Sequence, residues 1–173
     1  MLLPAKEWKT IAAENNNRKT VFVQFVIPLL CTAALAVTIG ALLFASLDFY
    51  STLSWIATLW ASLGVGLYLS AFFVTEIMSG ELDKREYGRD FALMAYSSAA
   101  IYIVVIIVAL FPFFKEFLVL ALYSCYLYWR GIPDMIKVEG KTRSNYGLIS
   151  LIITALIYSL LFFLFGKIFK SIN

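Results

Sequence analysis

Five long apolar runs, at residues 21–45, 53–78, 91–111, 113–129 and 146–169, fill most of this chain, and most of its charges lie in the gaps between them. An α-helix rises about 1.5 Å per residue, so about 20 residues cross the hydrocarbon core of a bilayer. Four runs reach that length, and the fourth in order is short. The expected fold is all-α: a polytopic membrane protein with five transmembrane helices. Composition agrees. The chain is 62% hydrophobic and 14% charged, with a mean hydropathy of +0.86. A soluble domain is typically about half apolar and a quarter charged, so too few charges remain here to cover a soluble surface.

The bases orient the spans. Residues 1–20 carry Lys6, Lys9, Arg18 and Lys19; the second gap carries Lys84, Arg85 and Arg89; the fourth carries Arg130, Lys137, Lys141 and Arg143. The alternate segments hold only Lys115, Lys167 and Lys170. Eleven bases therefore fall on one side against three on the other. Excess Lys and Arg marks the cytoplasmic side. The reading is an N-terminus inside, a C-terminus outside and five crossings. Residues 1–20 form a cytoplasmic interfacial segment and residues 21–173 the membrane domain.

Pro4 suits the first position of a short helix, and Trp8, Ile11 and Ala12 share one of its faces, with Trp8 expected at the headgroup level. Asn15–Asn17 should end that helix before the first span. Pro28 invites a kink inside the first span. Small residues four apart (Ala36 and Gly40, then Ser62, Gly66 and Ser70) allow two helix backbones to approach closely in lipid, and are read as a packing stripe. Whether its partner is internal or a second copy stays open. Pro112 should break the chain into a helical hairpin, with Lys115 and Glu116 at an outer turn. Tyr123, Ser124, Tyr126 and Tyr128 form a polar-tipped group expected to face protein, since hydroxyls need partners in hydrocarbon. Cys31 and Cys125 lie inside apolar runs and read as packing residues.

Certain stretches resemble a known family. These are residues 2–14 with Ile27, Pro28 and Leu29; Asp90 through Ser98; and Leu127 through Pro133, ahead of Lys137. In order and spacing they are similar to bacterial members of the Yip family, five-span relatives of the eukaryotic Ypt/Rab-interacting membrane proteins. The resemblance implies five membrane helices, an inner N-terminus and an outer C-terminus, the topology that the bases give separately. It also implies a bacterial inner membrane. Eukaryotic members place a long soluble segment before the first span, where this chain has residues 1–20.

Catalytic chemistry has little to draw on. The chain has no histidine, which removes the usual proton shuttle and the commonest metal ligand. Glu76 is the acidic residue nearest the body of a span, and snorkelling to the interface accounts for it. The expectation is a protein that is not an enzyme and carries no cofactor or metal. It would act as a scaffold or adaptor whose inner loops recruit membrane lipids or a protein partner, not nucleic acid. Lys84, Arg85, Arg89, Lys137, Lys141 and Arg143 are the candidate docking bases. Gly40, Ser62, Gly66 and Ser70 are the candidate packing positions, within the monomer or in a homo-oligomer. The alternative is a small transporter or channel working as an oligomer, which would draw on Glu76, Tyr123 and Tyr126 as intramembrane polar groups.

Overall fold

A computed structural model describes residues 4–14, 17–45, 49–78, 87–136 and 140–171. The described residues are almost all helical, with no β-strand among them. Helix α1 is Pro4–Ala13. Helix α2, residues 18–45, opens on Asn17, whose side chain accepts the backbone N–H of Lys19 at 3.4 Å and so caps it. A π-helical turn, Phe22–Val26, immediately precedes Pro28, whose ring and missing N–H disturb the regular ladder there. A second such turn, Ala41–Ala45, ends α2. Helix α3, residues 49–78, carries a third at Ala61–Val65. Helix α4, residues 87–110, joins Tyr87–Ser97 to Ala99–Leu110. After Pro112 the chain runs as a 3₁₀ segment, Pro112–Leu122, then as α5, Tyr123–Ile136, and α6, Gly140–Ser171.

Among the described residues, four helices are long and apolar enough to cross a membrane: Arg18–Phe44, Phe49–Ile77, Gly88–Leu110 and Arg143–Ile168. The short fourth run is not one of them. It is divided between the 3₁₀ segment and α5, because Pro112 starts it and its first turns never settle into α geometry.

The buried core is concentrated at one end of the bundle. It is built from Val21, Val26 and Leu30 of α2, Leu67, Ala71 and Val74 of α3, Phe91–Ala95 of α4, Leu127 and Ile132 of α5, and Tyr146 of α6. All but Leu127 lie in the half of their helix nearest the base-rich gaps. Aromatic rings tie α2, α3 and α4 together there: Phe22 meets Tyr68 at 4.8 Å, and Tyr68 meets Phe91 at 4.9 Å. At the other end, all of Pro112–Leu122 lacks a buried residue. The most apolar stretch of α6 is only 11% buried, against 33–39% in the other three spans.

Three expectations change here. Trp8 is 2% exposed: α1 turns its Trp8, Ile11 and Ala12 face inward onto the core, not toward headgroups. A methyl placed on Gly131 would lie 2.8 Å from the Trp8 indole, so the absence of a side chain at Gly131 gives the ring its seat. Second, Tyr123 and Tyr126 face outward, 44% and 50% exposed, and stack on each other at 5.5 Å. Ser124 and Tyr128, on the opposite face of α5, are the pair that turns inward. Cys31 and Cys125 are likewise exposed free thiols, not core packing residues.

Candidate functional site

Two polar constructions stand out. The first closes the base-rich end. Asp90, 1% exposed near the start of α4, accepts a hydrogen bond from Thr75 of α3 at 2.7 Å and one from Tyr146 of α6 at 3.0 Å. One carboxylate thus holds three helices. Hydrogen bonds to a charged acceptor are stronger than neutral ones, and burial raises the cost of losing them.

Beside it, Pro133 sits inside α5 and has no N–H to give the carbonyl of Trp129. Arg143 supplies the missing donor: its Nη2 lies 3.0 Å from that carbonyl, and its guanidinium sits 5.8 Å from the centre of the Trp129 ring. Gly147 lets α6 come close, since a methyl there would meet the Trp129 ring at 2.6 Å. Arg143 therefore works inside the protein, where the charge pattern alone suggested a docking base.

The second construction is a cavity of about 530 Å³ between α3, α4, α5 and α6. Its walls are mainly apolar, with Leu63, Leu67, Met94 and Leu151 among them, and among the described residues no charged side chain lines it. Six serines do: Ser62, Ser70, Ser97, Ser98, Ser124 and Ser159. Ser97 and Ser98 donate to backbone carbonyls of their own helix, at 2.7 Å to Leu93 and 2.6 Å to Met94. Ser62, Ser70 and Ser124 are buried and their hydroxyls have no hydrogen-bond partner.

The expected site residues scatter. Ser62 and Ser70 line the cavity. Gly66 faces α6, where a methyl would lie 2.7 Å from the Tyr158 ring. Gly40 faces α4 and leaves room for the backbone carbonyl of Ala109. These small residues thus have partners within the same chain. Glu76, Tyr123 and Tyr126 are exposed and line no part of the cavity. Arg89 is exposed at the start of α4. Lys84, Arg85 and Lys137 lie outside the described residues, as does the side chain of Lys141. Among the described residues no group of His, Cys, Asp or Glu is placed to hold a metal ion.

Sequence reasoning passed over Asp90, Thr75, Tyr146 and the Trp129–Arg143 pair. For the last a signal exists: a proline inside a helix orphans the carbonyl four residues earlier. For Asp90 there was none, because a carboxylate beside Arg89 reads as solvated.

The family model for the Yip1 domain matches residues 1–170. The chain belongs to the Yip1 family. No curated protein and no solved structure matches it. The Yip1 match takes in both constructions, from Leu59 through Phe162.

Proposed function

We propose that this Yip1-family protein is a non-enzymatic membrane scaffold, crossing a bacterial inner membrane five times with its N-terminus in the cytoplasm and its C-terminus outside. The observation that carries the reading is the coincidence of the tight core with the base-rich end. Eleven of fourteen Lys and Arg residues fall in the sequence segments that adjoin those helix ends, where Asp90, Trp8 and the Trp129–Arg143 pair sit. A rigid base beneath charged loops suits recruitment better than turnover.

The short fourth run supports the fifth crossing. Past the kink at Phe114, 3₁₀ geometry rises about 2.0 Å per residue, so residues 115–122 and 123–129 together reach about 27 Å, whereas an α-helix of the same residues reaches about 23 Å. The 3₁₀ stretch brings the run closer to the thickness of the hydrocarbon core.

Partners are anionic lipid headgroups or a cytoplasmic protein, met by Lys84, Arg85, Arg89, Lys137 and Lys141. Each base near an anionic leaflet contributes about 1 kcal/mol. Neutralising Lys84, Arg85 and Arg89 together is expected to weaken binding to phosphatidylserine vesicles, or capture of cross-linked partners from native membrane, while membrane insertion is retained. Unchanged binding in both assays refutes the docking role. Reporter fusions that place both termini on one face refute the topology.

The transporter alternative draws on the cavity, but Glu76, Tyr123 and Tyr126 stand away from it. Its test is solute flux in liposomes that vanishes in Glu76→Gln or Tyr126→Phe.

A further inference from the structure

The intramembrane cavity poses a chemical question that the scaffold reading leaves untouched. A serine inside a transmembrane helix ordinarily satisfies its hydroxyl by donating to the carbonyl one turn back. Ser97, Ser98 and Ser150 all do this, at 2.6–2.7 Å. Ser62, Ser70 and Ser124 do not, although each is more than nine-tenths buried and each borders the cavity. An unpaired hydroxyl buried in hydrocarbon is costly. Three of them around one space mark a surface shaped for a polar visitor.

The space has a direction. Ser70, Ser97, Ser98, Ser124 and Tyr128 border it toward the base-rich end of the helices. Leu59, Val105, Leu122 and Phe162 border it toward the opposite end. It also has a mouth. Leu122 and Cys125 on one side and Ala155, Ser159 and Phe162 on the other are lining residues that are themselves exposed, so the cavity opens sideways between α5 and α6. In a bilayer that gap faces acyl chains. With no charged side chain among the described lining residues, the cavity does not suit a phosphate or ammonium head. A volume of about 530 Å³ is typical of a small-molecule site and accommodates one chain with a small head, not two chains.

We propose that the cavity binds a single-chain, uncharged, hydroxyl-bearing lipid of the monoacylglycerol class. The lipid enters sideways between α5 and α6. Its head oxygens exchange hydrogen bonds with Ser70 and Ser124 and its chain points toward Leu122 and Phe162. Ser62 meets the ester region. Water alone is a poor occupant, because most of the wall offers it no partner. The proposal is independent of the docking bases and of the scaffold role.

The test uses the full chain in phosphatidylcholine nanodiscs with a monoacylglycerol carrying a diazirine in its acyl chain. Photolysis is expected to label residues 121–128 and 151–162, with the label chased by unlabelled monoacylglycerol at least tenfold better than by lysophosphatidic acid of the same chain length. The double variant Ser70→Ala, Ser124→Ala is expected to lower apparent affinity three- to tenfold, the loss of one to two hydrogen bonds. Ala155→Phe, at the lipid-facing mouth, should abolish labelling without moving the unfolding temperature. Label that resists the chase, equal competition by lysophosphatidic acid, or wild-type affinity in the double serine variant each overturns the proposal.

Discussion

Three glycines in the spans show how differently one missing side chain can matter. A methyl on Gly40 would run into the backbone carbonyl of Ala109, which cannot swing aside without moving α4. A methyl on Gly66 would touch the edge of the Tyr158 ring, which can rotate. Around Gly166 there is nothing within 4 Å. Overpacking typically costs about 1–3 kcal/mol, while Gly to Ala in an unhindered helix gains about 1 kcal/mol. Gly40→Ala is therefore expected to lower the unfolding temperature most, Gly66→Ala less, and Gly166→Ala not at all, as read by thermal unfolding in detergent. At Asp90, removing the acceptor breaks the tie to Tyr146 and returns Thr75 to the Ala71 carbonyl of its own helix, 2.8 Å away. Asp90→Ala should cost about 1–3 kcal/mol and Asp90→Asn less, since the amide oxygen still accepts one bond. The spacing of small residues picked out Gly40, which faces a backbone, together with Gly66, which faces a ring, and Ser62 and Ser70, which border the cavity. It did not distinguish a rigid neighbour from a yielding one, because that depends on which atom of the facing helix lies opposite.

Elements show a different kind of coupling. Helix α5 continues through Pro133 only because Arg143 of α6 takes over the orphaned carbonyl of Trp129. Pro133→Ala would restore the helical donor and relieve Arg143 of that duty. Arg143→Ala should then be markedly less destabilising in the Pro133→Ala background than alone, with a coupling energy of about 0.5–3 kcal/mol in a double-mutant cycle. The 3₁₀ stretch gives a second measurable signature. Spin labels at residues 115 and 129, both past the kink at Phe114, should lie about 24 Å apart along the axis, against about 21 Å for an unbroken α-helix. Hydropathy marked this run as apolar and short, and Pro112 marked its start. Neither reports pitch, which depends on hydrogen-bond register after the proline. The π-helical turn before Pro28 belongs with it: the residue that disturbs the helix was visible, the form of the repair was not.

At the scale of the whole molecule, the spans and their boundaries were legible because lipid demands long apolar helices, and residues 18–44, 49–77, 88–110 and 143–168 fall close to the apolar runs. Which faces turn inward was less legible, because in hydrocarbon both a lipid-facing and a core-facing side chain are apolar. Tyr123 and Tyr126 against Ser124 and Tyr128 illustrate it, two faces of one helix with similar composition and opposite fates. Trp8 does so too, since an indole suits both a headgroup layer and a protein seat. That seat also has a practical corollary. With its indole lodged against Gly131 and Leu93, helix α1 is mechanically part of the bundle, so a purification tag or fluorescent reporter joined directly ahead of it would tug on a buried anchor. Handles intended to leave the protein undisturbed belong at the carboxyl end, past Gly166, a position where an added methyl would meet nothing within 4 Å.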